Sequence, residues 1–259
     1  MRIPIYQVDA FSGKLFGGNP AAVCPLESWL PDEQLQSIAA ENNLAETAFF
    51  VRNGNGYNLR WFTPAVEVDL CGHATLASAY VIFTRLNSPE TSLKFHTKSG
   101  ELVVSREGER LALDFPARPP EPCEVHPDLV AALGGKPEVV MGARDYMAVY
   151  GSEEEVRALK PDFERLKGVD RFAVIVTAPG KNSDFVCRFF APSKGINEDP
   201  VTGSAHCTLI PYWSKRLGKT KLKSIQVSAR SGELWCEDRG ARVSIAGEAV
   251  CYLEGSILL

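Results

Sequence analysis

The chain has 259 residues, of which 45% are hydrophobic and 23% charged, and its net charge is −4. That balance excludes a disordered or collagen-like chain and argues against a general binder of nucleic acid or anionic membrane, which would want a basic surface. Seven cysteines, an odd number with no CxxC pair, argue against an oxidised disulfide framework.

The N-terminal MRIPIYQVDAF is strand-like and lacks the long apolar core of a secretory leader. No apolar run approaches the ~20 residues that span a bilayer. A reduced, cytoplasmic protein is the expectation. Strands are expected at 3–11 and 20–26, joined through Gly17-Gly18-Asn19-Pro20. A helix over 32–42, capped by Asp32, turns Leu35, Ile38 and Ala39 to one face. Residues 49–51 read as strand. His73 to Leu86 (HATLASAYVIFTRL) is a helix apolar on most faces, which predicts burial. Asn87 tolerates the left-handed stop that follows it. Residues 98–113 (KSGELVVSREGERLAL) read as a hairpin turning at Gly108.

The Pro-rich stretch 116–122 (PARPPEP) suits a semi-rigid connection. Helices are expected near 126–133 and 152–159, the second opened by a capping box at Ser152. FAVIVT (172–177) is a buried strand. Ser204 to Leu217 is a second buried helix, which Pro211 should kink. Residues 230–245 (RSGELWCEDRGARVSI) form a last hairpin, turning at Gly240.

These elements repeat. The two SGEL hairpins share a cation, SGEL, a Gly and an Arg in register at an offset of 132. RWFTP (60–64) and RFFAP (188–192) match at 128, and the two apolar helices at 131. The expected fold class is therefore α+β by internal duplication, each copy a mostly antiparallel sheet wrapped around a central helix. The halves are 1–117, completed by 250–259, and 118–249.

Duplication should place two loop-to-helix junctions, Cys71-Gly72-His73 and Thr202-Gly203-Ser204, across one cleft. A helix start offers free N–H groups and the positive end of the dipole, which suits a carboxylate. Glu46, His73 and Asp199 are the candidate acids and bases nearby. Spacing alone does not select them: a lone Glu is usually solvated, His73 could be a core histidine, and Asp199 could form the turn before Pro200. No P-loop, GxSxG elbow or dinucleotide fingerprint is present, and the Cys/His pairs lack zinc-finger spacing.

GGNPAAV (17–23), NLAETAFF (43–50), RWFTPAVEVDLCGHATLASA (60–79) and EDPVTGSAH (198–206), in this order, resemble the PhzF-type phenazine-biosynthesis family, which shares the diaminopimelate epimerase-like fold. The resemblance covers essentially the whole chain. It implies a cofactor-free, commonly dimeric isomerase without metal. The family's catalytic glutamate falls on Glu46, its supporting histidine on His73, and its aspartate and serine on Asp199 and Ser204. The related epimerases use two cysteines. Cys71 matches the first, and the second would fall at Pro200, which has no thiol. The resulting expectation is a biosynthetic isomerase that moves a proton between carbons of a small carboxylic acid. Glu46 would be acid and base, Gly72, His73, Gly203 and Ser204 would bind substrate, and His73 and Asp199 would orient it or relay protons. Alternatives are an epimerase-like enzyme using Cys71 with another acid, or a non-catalytic ligand-binding or scaffold protein of the same fold.

Overall fold

A computed structural model describes all residues, 1–259. It divides into two units, Met1–Asp114 with Ala246–Leu259, and Phe115–Ile245. Both are built on a mostly antiparallel sheet.

Unit 1 contains β1 (Arg2–Ala10), β2 (Asn19–Leu26), α1 (Asp32–Asn42), β3 (Glu46–Asn53), β4 (Gly56–Phe62), β5 (Glu67–Val68), α2 (Gly72–Thr84), β6 (Ser92–Thr97) and β7 (Gly100–Glu107). β8 (Arg110–Pro116) carries the chain into unit 2. There follow β9 (Glu121–Pro122), α3 (Leu129–Leu133), β10 (Val139–Gly142), β11 (Tyr146–Val149), α4 (Glu153–Ala158), α5 (Phe163–Leu166), β12 (Val174–Pro179), β13 (Phe185–Ala191), β14 (Ile196–Asp199), α6 (Gly203–Leu217), β15 (Lys221–Gln226) and β16 (Gly232–Asp238). β17 (Arg242–Gly247) leads back to β18 (Ala249–Leu258), which pairs antiparallel with β1 and completes unit 1.

The strand pairings of the two units repeat. In unit 1, β1–β2 is antiparallel, β2–β3 parallel, β3–β4 antiparallel, β4–β6 parallel and β6–β7 antiparallel, with β5 on β4. In unit 2, β10–β11, β11–β12, β12–β13, β13–β15 and β15–β16 run through the same series, with β14 on β13. The hairpin glycines Gly108 and Gly240 both hold positive φ, 66° and 78°, which a residue with a Cβ rarely adopts.

α2 is a core helix. Ten of its thirteen residues are buried, so it has no solvent face to keep polar. Ala74, Ala77 and Ala79 let the surrounding strands approach closely, and the buried hydroxyls of Thr75 and Ser78 donate back to the carbonyls of Cys71 and Ala74. In unit 2, α6 packs Trp213 flat against Phe185, ring centroids 5.5 Å apart, and the indole N–H donates to Thr177 Oγ1 at 3.0 Å.

Two local expectations change. Asp32 opens α1 without capping it. Its carboxylate pairs with Arg60 at 2.8 Å, and the Pro31 carbonyl takes the first N–H groups of the helix. α6 runs through Pro211 as one helix. The proline frees the carbonyl four residues back, Cys207, and the Arg118 backbone N–H donates to it at 2.8 Å. Residues 117 and 118, expected as part of a semi-rigid connection, are hydrogen-bonded within unit 2, to Ala241 and Cys207. All seven cysteines are free, and no helix is long and apolar enough to cross a membrane.

Candidate functional site

Glu46 is the first residue of β3 and His73 the second of α2, so strand register and helix start together set their meeting. His73 Nε2 lies 3.0 Å from Glu46 Oε2, and both side chains are nearly sealed from solvent, at 7% and 12% exposed. The approach is off the direction of a regular hydrogen bond, so both atoms are buried with no conventional partner. On the other side of the ring, Nδ1 is 3.2 Å from Asn19 Nδ2 and 3.5 Å from Cys71 Sγ.

Burial alone disfavours the His73 imidazolium, but Cys71 and Glu46 together override it and hold His73 well above its ordinary pKa. Burial, reinforced by the Glu46 charge, pushes the Cys71 thiol up to about 11. A thiol held that high is a poor base or nucleophile near neutral pH.

Glu46, Cys71 and His73 offer ligand atoms within 4.8 Å of one another. They suit a metal poorly. Glu46 and Cys71 address opposite nitrogens of one ring, so an ion on either nitrogen is turned away from one of them.

In unit 2, Gly203 opens α6 after the N-cap Thr202. Asp199 ends β14, and its carboxylate accepts from the Thr202 hydroxyl. Gln226 clamps this loop: its Nε2 donates to the Asp199 carbonyl at 2.7 Å, and its Oε1 accepts from the Thr202 N–H at 2.8 Å. Ser204 Oγ accepts from Arg144 at 3.2 Å, and Arg144 is held by two bonds to the buried Asp145, 3.0 and 2.9 Å. His206 is a structural histidine: Nδ1 donates to the Thr202 carbonyl, Nε2 accepts from Ser224, and burial lowers its pKa to about 4.

Glu46, Gly72 and His73 therefore cluster in unit 1, and Asp199, Gly203 and Ser204 at the α6 start of unit 2. The first-turn N–H groups of each helix have no acceptor within it, which leaves them available to an anion. The helix starts also correct one correspondence. Cys71 and Thr202 are the two N-caps, so Thr202, not Pro200, matches Cys71. No thiol stands there in either case. Sequence reading assigned no role to Asn19, Arg144, Asp145 or Gln226. Asn19 lies inside the quoted GGNPAAV motif, which was the one available signal.

Comparison with known proteins agrees with this architecture. The family model for phenazine biosynthesis-like proteins (PhzC-PhzF) matches residues 8–255. A Pseudomonas aeruginosa protein named as an uncharacterised isomerase is 55% identical over 259 residues, covering 100% of both chains. The crystal structure of a PhzF-family phenazine biosynthesis protein from Enterococcus faecalis superposes with a TM-score of 0.98 at 50% identity, covering 100% of both chains. A structure described as a predicted epimerase from Pseudomonas aeruginosa shares the fold at a TM-score of 0.78 and 17% identity, over 99% of each chain. The chain belongs to the PhzF-type phenazine biosynthesis-like family, with the diaminopimelate epimerase-like α+β fold.

Proposed function

We propose that this chain is a cofactor-independent isomerase that moves a proton between carbons of a small carboxylate-bearing substrate. The reading is supported by relatives that carry the name isomerase. The observation that carries it is the buried Glu46–His73 pair, whose facing atoms lack a conventional hydrogen-bond partner. Buried polar atoms without a proper partner are costly to folding and are kept where they have chemistry to do.

Glu46 is the proton carrier. Its carboxylate takes a carbon-bound proton, becomes the acid, and returns the proton to a second carbon of the same substrate. His73, 3.0 Å away, fixes the position of that carboxylate. The N–H groups of Gly72 and His73 receive the substrate carboxylate and stabilise the charge that develops as the proton leaves. In unit 2, Gly203 and Ser204 offer a second helix start with the same capacity, and Asp199 is the group assigned to orientation there. Cys71, with its pKa near 11, is a wall of the site rather than its base.

The test is a panel of small cyclic and aromatic carboxylic acids incubated with the protein in deuterated water and followed by NMR. A substrate so found is then used with two variants. Glu46→Gln should retain binding and lose ~10²-fold or more in turnover, the scale of general acid–base catalysis. Cys71→Ser should lose far less. Near-normal turnover in Glu46→Gln with abolished turnover in Cys71→Ser would replace this mechanism by a thiol one.

A further inference from the structure

Unit 2 holds a cation at the place where unit 1 holds an amide. In unit 1, Asn19, the first residue of β2, brings its Nδ2 to 3.2 Å from Nδ1 of His73, the second residue of α2. In unit 2, Arg144, in the turn before β11, donates through Nη2 to Oγ of Ser204, the second residue of α6, at 3.2 Å. The turn is tight: Gly142 pairs with Tyr146, and the Ala143 N–H donates to the Asp145 carbonyl at 3.0 Å. Arg171 braces it by donating to the Ala143 carbonyl.

A guanidinium carries five N–H donors and no acceptor. In Arg144, Nε and one Nη2 hydrogen go to the two oxygens of Asp145, whose side chain is 1% exposed. The second Nη2 hydrogen goes to Ser204. A counter-ion for Asp145 needs only the first edge. Nη1 makes no hydrogen bond within the chain, and the Arg144 side chain is 31% exposed. The guanidinium lies over the Phe172 ring, 4.5 Å from its centroid, and Lys194 lies 5.2 Å over the same ring. Phe172 is 41% exposed, so an apolar ring is kept near water as a platform for two cations. Carboxylate, hydroxyl and ring together fix the guanidinium and leave one edge unspent.

The same contact sets Ser204. Its oxygen accepts from a cation, so its own hydrogen turns away from Arg144, and that hydrogen has no acceptor in the chain. Accepting from a cation polarises the hydroxyl and strengthens it as a donor.

We infer that Arg144 is a positioning and specificity-determining residue of the proposed isomerase: it orients the Ser204 hydroxyl and, through Nη1, selects an ionised carboxylate over the corresponding amide. That this carboxylate belongs to the substrate rests on the proposed function; that Arg144 binds one does not. An amide of the same shape turns an NH2 toward groups that are themselves donors, and it forgoes the charge-assisted hydrogen bonds.

Acetate and acetamide are the probes, titrated into the whole chain near neutral pH at constant ionic strength and followed by NMR at the Arg144 Nε–H and the Ser204 N–H. Acetate should give a saturable shift at both, and acetamide none. Arg144→Gln alone strands the buried Asp145 charge, so it is combined with Asp145→Asn, which leaves a neutral pair. In that double variant the Ser204 shift should need at least ~10-fold more acetate, the low end for a charged hydrogen bond. Arg144→Lys keeps a cation beside Asp145 but loses the fork. It should bind acetate more weakly than the wild type, and it decides the point if the double variant does not fold. No saturable shift in the wild type, an equal response to acetamide, or unchanged acetate affinity in the folded double variant overturns the inference; in the last case Arg144 is only the counter-ion of Asp145. The isomerase reading fails separately, if no acid of the panel exchanges a proton in deuterated water. Where an acid does exchange, the double variant should raise its KM by ~10-fold with a smaller change in kcat. An unchanged KM overturns the inference as well.

Discussion

Glu46→Gln tests the electrostatics of the site without needing a substrate. The replacement keeps size and one carbonyl oxygen but removes the negative charge 3.0 Å from His73 Nε2. What remains around His73 is burial, which disfavours the imidazolium, opposed by Cys71 alone. The chain holds an internal reference for that state. His206 is fully buried without a carboxylate partner, and its pKa is lowered to about 4. Burial takes His206 from 6.5 to about 4, roughly 3 kcal/mol at 1.36 kcal/mol per unit, and loss of the Glu46 charge should move His73 down in the same direction. The direction of the pH dependence follows. In the wild type the folded His73 pKa lies above the unfolded value near 6.5. Its stabilisation is fully present below that value and is lost as pH rises through the folded pKa. In Glu46→Gln the order reverses, and the variant is penalised as pH falls below about 6.5. Urea unfolding at pH 5.5 and 8.5 should show a stability gap that is large at the lower pH and shrinks at the higher. Ring-proton NMR should follow His73 directly. A gap of equal size at both pH values, or His73 titrating near 6.5 in both proteins, would refute the account.

Other outcomes follow from single contacts. Cys71, raised to about 11 and buried, should be alkylated by iodoacetamide at pH 8 at least ~10²-fold more slowly than a free cysteine peptide, as read by mass spectrometry. Gly18→Ala should destabilise by ~1 kcal/mol or more in a thermal melt. Gly18 has a φ of +63°, and the new Cβ would lie 2.1 Å from the Ala10 carbonyl oxygen. Ser152→Ala should cost ~1 kcal/mol, because Ser152 Oγ accepts the Glu155 N–H at the start of α4. Ser152→Asp should restore most of that loss.

Features encoded by local pattern were legible before the structure. α2 is apolar all round, and a helix of that kind has nowhere to go but the core. The SGEL hairpins were legible because a glycine turn and alternating apolar residues specify each one within a short stretch. Features that depend on distant partners were not. Asp32 reads as a helix cap until Arg60 takes its carboxylate. Nothing near Pro211 in sequence announces that the Arg118 N–H takes the carbonyl it frees. Gln226 is a polar residue at a strand end, and nothing near it in sequence announces its clamp on Asp199 and Thr202. Within the site, Glu46 and His73 were found through family motifs, since their encounter depends on the register of β3 against the start of α2.

The duplication itself bears on mechanism. Thr47 of β3 lies opposite Phe62, and Val174 of β12 lies opposite Phe190. Phe62 and Phe190 occupy the same place in RWFTP and RFFAP. The residue of unit 2 that corresponds to Glu46 is therefore Ala173, which is buried and carries no proton. His73 corresponds to Ser204, and Cys71 to Thr202. Each element that frames the Glu46–His73 pair recurs in unit 2, yet the acid, the imidazole and the thiol are all replaced by groups that do not titrate near neutral pH. A two-base exchange, in which one group takes a proton from one face while its counterpart delivers another to the opposite face, needs a matched carrier in the second copy. Asp199 is the acid at that helix start, and its carboxylate is engaged by Thr202. The asymmetry favours one carrier acting twice, so that the proton leaves and returns through Glu46. If so, Asp199→Asn should lower kcat/KM by weakening substrate orientation and leave isotope exchange at the first carbon in place, whereas Glu46→Gln should abolish that exchange. Loss of exchange in Asp199→Asn with exchange retained in Glu46→Gln would make Asp199 the carrier and Glu46 its support.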